Sequence, residues 1–169
     1  MEKVSEERLQ SYSLFSSLSK AQRERIAQLV VLRKTASGQV IVTEGEVGSE
    51  MFLLLSGELV ITKRLTLYSS EGEDKREKSL IKLKDKDNVF FGEMSLFDDA
   101  ERSATVTAVS DVICGILTRD QIHALCDNDP EVGYKIYYNI GRTLAANLRK
   151  ANRDILKLTT AFCLALDRT

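Results

Sequence analysis

The chain has 169 residues, of which 43% are hydrophobic and 29% are charged, a composition typical of a soluble globular domain rather than a disordered segment. Lys and Arg number 24 against 25 Asp and Glu, so no excess of positive charge favours nucleic acid or an anionic membrane as a partner. The first residues lack the apolar core of a signal peptide, and no apolar run reaches the roughly 20 residues of a membrane-spanning helix. We therefore expect a cytoplasmic protein. Cys114, Cys126 and Cys163 are irregularly spaced in apolar surroundings, which indicates buried free thiols rather than a disulfide framework.

The chain is predicted to begin with short helices. Ile26, Leu29 and Val30 recur at helical spacing behind Ser19, which is a suitable N-cap residue. Residues 1–29 are therefore interpreted as an amino-terminal helical segment.

Residues 30–128 are predicted to form an antiparallel β-roll that ends in a hinge helix. Short β-rich runs alternate with glycines in this region, and Ser56-Gly57 is predicted to form a tight hairpin turn. The polar, mixed-charge run at residues 69–78 is predicted to be a solvated hairpin loop. The fold class is thus mainly β, a jelly-roll type of β-roll with short amino-terminal helices and a long carboxy-terminal helix. The predicted strands are Val40–Val42, Met51–Leu55, Leu59–Ile61, Ser79–Leu83, Ala104–Ala108 and Val112–Leu117.

A long helix is predicted for residues 129–169. Asp129 can cap it, Pro130 fits its first position, and Glu131 places a carboxylate in its first turn. An apolar stripe then continues to Phe162 and is longer than one small roll can cover, so the helix is predicted to pair with a second copy in a homodimer. The stripe comprises Val132, Ile136, Ile140, Leu144, Leu148, Ala151, Ile155, Leu158 and Phe162.

The segment Phe90–Val106, called the cassette here, carries the most specific chemistry. Gly92 allows the backbone to approach a ligand at the start of a short helical turn. Arg102 offers a planar fork of donors to phosphate oxygens, and Ser103 adds a hydroxyl. Glu93 is a poor neighbour for phosphate but can accept a hydrogen bond from a sugar hydroxyl. Together these residues describe a ribose-phosphate site.

Each of these residues also has a simpler interpretation. Glu93 alone could be a carboxylate favoured at a helix start, and Arg102 alone could be a surface arginine paired with Asp98 or Asp99. The spacing of the whole cassette favours the ligand site over these separate explanations.

The cassette resembles that of the cyclic nucleotide-binding domain family, which includes the bacterial catabolite activator protein and the regulatory subunit of protein kinase A. Phe91-Gly92-Glu93, Leu96 and Arg102-Ser103-Ala104-Thr105-Val106 match the phosphate-binding segment of that family in residue type and spacing. The resemblance extends over roughly residues 14–148. It implies a regulatory sensor, without catalysis, that binds a cyclic mononucleotide and passes a helix rearrangement to a partner protein, which the sequence does not identify.

The resemblance also implies roles for individual residues. Glu93 takes the position of the family's acceptor for the ribose 2′-hydroxyl, and Arg102 that of its phosphate-pairing arginine. Because the family tends to have threonine at the position of Ser103 when it binds cGMP, the serine favours cAMP, with cGMP as the alternative ligand. The base-contacting position on the long helix falls near Asn152. The predicted ligand-binding residues are Gly92, Glu93, Met94, Ser95, Arg102, Ser103, Ala104 and Asn152.

Three other functions are weighed against this one. An enzyme or metal site is disfavoured because His123 is the only histidine, and it has only Cys126 near it on a predicted helix. A DNA-binding regulator would need a helix-turn-helix domain after the long helix, and only three residues follow Leu166, so this alternative requires a truncated chain. A ligand-free dimerisation scaffold is disfavoured by the presence of both Glu93 and Arg102. No cofactor, metal, nucleic acid or membrane is expected.

Overall fold

The computed structural model describes residues 3–69 and 72–166. Four α-helices are present in this part of the chain: α1 (Glu6–Gln10), α2 (Lys20–Leu29), α3 (Arg119–Asn128) and α4 (Pro130–Leu166). The strands are β1 (Val31–Thr35), β2 (Val40–Val42), β3 (Glu50–Ser56), β4 (Glu58–Ser69), β5 (Gly72–Lys84), β6 (Phe90–Phe91), β7 (Thr105–Ala108) and β8 (Val112–Thr118). They form two antiparallel sheets, ordered β1-β8-β3-β6 and β2-β7-β4-β5. The predicted β-roll with flanking helices is confirmed.

The helices begin where the capping residues predict. The Ser19 hydroxyl accepts from the backbone N–H of Gln22, whose side chain accepts in return from the Ser19 N–H, so the two residues form a capping box. At the start of α4, Asp129 Oδ1 accepts from the backbone N–H of Val132 at 3.2 Å. Both contacts satisfy backbone donors that have no partner within the helix.

The roll has two hydrophobic cores that share the central strand β3. Met51 and Leu53 point to one face and pack with the helices, whereas Phe52 and Leu54 point into the interior of the roll. This alternation follows from the two-residue period of a strand. Because both faces of β3 are buried, the helices are tied directly to the strand that runs beside the cassette.

The prediction of a loop at residues 69–78 is wrong for the described part of that segment. β4 and β5 pair from Glu58↔Lys84 to Ser69↔Gly72 with one register shift between Ile61 and Thr62, and residues 70–71 lie outside the described residues. Main-chain hydrogen bonds between two strands do not require an apolar face, so a polar run can continue as a paired ribbon. β1 was also not predicted, because Arg33 and Lys34 interrupt its apolar pattern at the sheet edge.

α4 changes character along its 37 residues. Val132, Ile136 and Ile140 are fully buried in the core between the helices and the roll. Beyond Leu144 the helix leaves this core, and the side chains of residues 148–166, called distal α4 here, are exposed. The apolar stripe therefore continues where the chain itself does not cover it. Its exposed large members are Leu148, Ile155, Leu158 and Phe162, which are 61 to 71% exposed.

The three cysteines are free thiols in different environments. Cys114 is buried in the roll, as predicted, and burial raises its pKa to about 12. Cys126 is half-buried, and Cys163 is exposed on distal α4. The prediction that all three are buried is wrong for Cys163, because its part of the helix has left the core. Within the described residues, no helix combines the length and apolar character needed to cross a bilayer.

Candidate ligand-binding site

A cavity of about 460 Å³ lies beside the cassette, within the size range of small-molecule sites. Its inner wall is apolar, and α4 closes one side with Thr143 and Asn147. The cassette supplies the polar groups, so polar and apolar surfaces meet across one space. The apolar wall includes Val42, Ile61, Ile81, Leu83, Phe91 and Val106.

Gly92 joins β6 to a 3-10 turn formed by Glu93–Leu96. Its φ of +77° is in the left-handed region that favours glycine. A Cβ at this position would lie 2.8 Å from Arg102 Nη1 and 2.9 Å from the carbonyl oxygen of Glu50. A side chain is therefore excluded both by backbone conformation and by the close approach of two neighbours.

Arg102 is held in a tight cradle at the edge of the cavity, with its side chain only 8% exposed. Nη1 donates to Ser95 Oγ at 2.5 Å, and Nη2 pairs with Glu50 Oε2 at 3.1 Å. Its Cζ lies 5.8 Å from the centre of the Phe52 ring. A Cβ on Gly48 would lie 2.5 Å from Nη2, so this second glycine is also required by the cradle.

The surroundings of Arg102 fix both its orientation and its charge state. Burial lowers the pKa of the guanidinium, and Glu50 opposes this shift by its charge and its hydrogen bond. An arginine nevertheless stays protonated at neutral pH. The cavity thus contains a positive group that is largely shielded from water, and such a charge attracts an anion more strongly than an exposed one.

Glu93 lies on the cavity wall and is half-buried. Burial raises the pKa of its carboxyl, and the hydrogen bond from its own backbone N–H opposes that rise. The carboxylate is thus placed to accept a hydrogen bond from a hydroxyl in the cavity.

The structure brings seven of the eight predicted site residues to this one cavity. Ser95 is buried and acts on Arg102, whereas Met94 and Ser103 are exposed at the rim. The seven residues are Gly92, Glu93, Met94, Ser95, Arg102, Ser103 and Ala104.

Asn152 is not among the residues that line the cavity of its own chain. It is exposed on distal α4, five residues beyond Asn147, which does line the cavity. Five residues of α-helix rotate a side chain by about 140° relative to its start and advance it by about 7.5 Å. Thr143 and Asn147 were not predicted, because the point where a long helix passes a cavity is not encoded in a local motif.

Arg119, the first residue of α3, connects the cassette to the carboxy-terminal helices. Its Nε donates to the carbonyl oxygen of Ser95 at 2.7 Å, and its guanidinium also bonds Asp98 and Asp99 at 2.6 Å. The Arg119 backbone N–H donates to the carbonyl oxygen of Ser49 at 2.8 Å. Ser95 therefore contacts two arginines, Arg102 through its hydroxyl and Arg119 through its carbonyl.

His123 lies on α3, where its Nε2 is 3.1 Å from the carbonyl oxygen of Leu96. It is thus a second contact between α3 and the cassette, and it does not line the cavity. No cluster of three or more histidine, cysteine or acidic side chains that could hold a metal ion occurs in residues 3–69 and 72–166.

Comparison with known proteins agrees with this architecture. The family model of the cyclic nucleotide-binding domain matches residues 32–129, more than half of the chain. A cAMP-dependent protein kinase regulatory subunit from Hypocrea atroviridis is 33% identical over 69% of this chain, and the match covers 22% of that protein. A cGMP-dependent protein kinase, isozyme 1, from Drosophila melanogaster is 33% identical over 81% of this chain, with 17% of that protein covered. The chain thus spans less than a quarter of the length of these two relatives.

A solved structure shows the same fold over most of the chain. The catabolite activator protein of Thermus thermophilus matches with a TM-score of 0.72 and 28% identity. The match covers 87% of this chain and 63% of that one.

Proposed function

Because the chain belongs to the cyclic nucleotide-binding domain family, we propose that it binds a cyclic mononucleotide in the cavity beside Arg102 and acts as a non-catalytic regulatory module. The observation that carries this proposal is the meeting of a buried guanidinium, a half-buried carboxylate and an apolar wall around one cavity. Arg102 pairs with the phosphodiester anion. Glu93 accepts from the ribose 2′-hydroxyl, and the apolar wall receives the base.

We propose cAMP as the preferred ligand and cGMP as the weaker one. Ser103 lies at the cavity rim, at the position where, in the family, threonine tends to accompany cGMP. Thr143 and Asn147 of α4 also line the cavity, and we propose that they meet the edge of the base. An amide and a hydroxyl can each donate and accept, so they can bind the donor and acceptor groups of adenine.

We also propose that distal α4 pairs with the same helix of a second copy. From Leu144 the apolar residues follow the alternating three- and four-residue spacing of a coiled-coil seam, and their large members beyond Leu144 are exposed. The basic residues Arg142, Arg149 and Arg153 lie off this seam and leave it apolar. The seam residues are Leu144, Leu148, Ala151, Ile155, Leu158 and Phe162.

Isothermal titration calorimetry tests the ligand proposal. The full chain is titrated with cAMP, cGMP and 5′-AMP, and we expect one cAMP per chain, weaker cGMP and weakest 5′-AMP, whose open phosphate does not match the cyclic diester. Arg153→Ala is the matched control for arginine substitutions, because Arg153 is exposed on distal α4 and is not among the cavity residues. Absence of heat with either cyclic nucleotide at millimolar concentration would contradict the proposal.

A further inference from the structure

The ion pair between Arg102 and Glu50 places a carboxylate next to the proposed phosphate site, so this site has a negative charge beside it even before a phosphate binds. Nη2 of Arg102 lies 3.1 Å from Glu50 Oε2, and the carboxylate side chain is 36% exposed. Glu50 is not among the residues that line the cavity. The guanidinium therefore lies between Glu50 on one side and the cavity on the other.

The backbone approaches the Arg102 guanidinium closely at two glycines. Gly48 and Gly92 approach the guanidinium so closely that a Cβ on either would lie within 2.8 Å of one of its nitrogens. The Phe52 ring, which stacks on Phe91 with centroids 5.0 Å apart, lies beside it. A phosphate in the cavity would thus meet an arginine that is still paired with Glu50.

We propose that Glu50 is the resident counter-anion of Arg102, which stabilises the nucleotide-free protein and lowers its affinity for the nucleotide phosphate. This inference rests on the proposed function, because it concerns the affinity of that same site. Without a nucleotide, a buried guanidinium that lacks a partner is strongly unfavourable, and Glu50 supplies that partner. With a nucleotide bound, Glu50 repels the phosphate across the guanidinium, since like charges in a poorly hydrated site raise each other's free energy.

The two side-chain acceptors of Arg102 should therefore have different effects on binding. Ser95 accepts from Nη1 through a neutral hydroxyl. It therefore orients the guanidinium without repelling the phosphate. Glu50 both orients the fork and opposes the phosphate. Removing the charge of Glu50 while keeping its shape should strengthen binding, whereas removing the hydroxyl of Ser95 should weaken it.

The test compares Glu50→Gln and Ser95→Ala with wild type in thermal melts without nucleotide and in calorimetric titrations with cAMP. Glu46→Gln is the matched control, since it removes the same charge from an exposed side chain whose contact with Arg102 is through the backbone only. For Glu50→Gln we expect a melting temperature lower by a few degrees together with a several-fold higher affinity for cAMP. For Ser95→Ala we expect a lower affinity, and for Glu46→Gln little change in either quantity.

Weaker cAMP binding by a folded Glu50→Gln protein would overturn the inference, because Glu50 would then act as a positioning residue only. An unchanged melting temperature would overturn it too, since no counter-anion would have been lost. Failure of the proposed function is distinguishable, because it would appear as absence of cAMP binding in wild type. In that case a lower melting temperature of Glu50→Gln would mark a structural ion pair only, and the inference would fall as well.

Discussion

The cassette and distal α4 differ in where their side chains find partners. In the cassette, Ser95 and Arg102 are bound to each other, and Arg119 reaches back from α3 to hold the same turn. In distal α4, the large apolar side chains from Leu148 to Phe162 are exposed. The difference agrees with the two proposals that a ligand binds within one chain and that distal α4 pairs with the same helix of a second copy.

α3 and the buried half of α4 connect these two regions. Arg119 and His123 contact the cassette from α3, and α3 packs against α4 in the shared core through Ile122, Val132 and Ile136. These contacts form a path of packed side chains between the cassette and α4, along which the proposed helix rearrangement would travel. Substitutions in distal α4, in the cassette and in the α3 contacts with the cassette test the difference between the two regions.

The largest expected effect is on the pairing of distal α4. Ile155→Glu places a charge in the proposed seam, and because the side chain is lost from both helices, we expect the dimer to weaken by about 3 to 6 kcal/mol. Sedimentation velocity should show the variant as a monomer at concentrations where wild type is a dimer. Leu156→Glu is the matched control, since Leu156 is equally exposed but lies off the seam. If Ile155→Glu and Leu156→Glu had the same oligomeric state, the proposed seam would be contradicted.

The second expected effect is on ligand binding. Arg102→Ala removes the only arginine among the described residues that line the cavity, and loss of a buried partner of the phosphate should cost about 2 to 5 kcal/mol of binding free energy. This corresponds to about a 30-fold to several-thousand-fold weaker affinity for cAMP by calorimetry, with Arg153→Ala unchanged. Unaltered cAMP binding by a folded Arg102→Ala protein would show that the cassette is not part of the ligand-binding site.

The sequence predicts that Gly92, Glu93 and Arg102 lie together, and the structure brings them to one cavity. This could be predicted because one short segment joins the three residues. Glu50 could not be found in this way, because it is 52 residues from Arg102 in the chain and is brought there by the pairing of β3 with β8 and β6.

The fold shows the same division between local and long-range information. The starts of α2 and α4 follow from Ser19 and Asp129, whose caps are local contacts. The position of Asn147 at the cavity depends instead on where α4 crosses the roll, which long-range packing decides. The extension of β4 and β5 was missed because backbone pairing leaves no apolar signal in the sequence.

The third expected effect is on the contacts between Arg119 of α3 and the cassette. Arg119→Met retains the aliphatic stem of the side chain but removes its hydrogen bonds to Ser95, Asp98 and Asp99. Since hydrogen bonds to charged groups contribute about 1.5 to 3 kcal/mol, we expect roughly tenfold weaker cAMP binding and faster amide exchange in residues 93–99. Arg25→Met, which breaks the ion pair between a more exposed arginine and Asp129, is the control and should leave both quantities unchanged. Amide exchange as slow as in wild type at residues 93–99 of Arg119→Met would show that the cassette keeps its structure without the Arg119 contacts.

The smallest expected effect is a pH dependence of binding that originates at Glu93. Burial raises the pKa of its carboxyl above the ordinary value of 4.5, so the group takes up a proton at a higher pH than an exposed glutamate does. The proposed hydrogen bond from the ribose hydroxyl favours the ionised form, and nucleotide binding must therefore release this proton wherever it is present. As the pH falls through the raised pKa, affinity for cAMP should fall a few-fold, whereas well above that pKa it should not depend on pH. Titrations of wild type in a series of decreasing pH should show this decline, and Glu93→Gln, which has no proton to release, should bind more weakly than ionised wild type with a flat profile. A decline of equal size in Glu93→Gln would assign the pH dependence to another group.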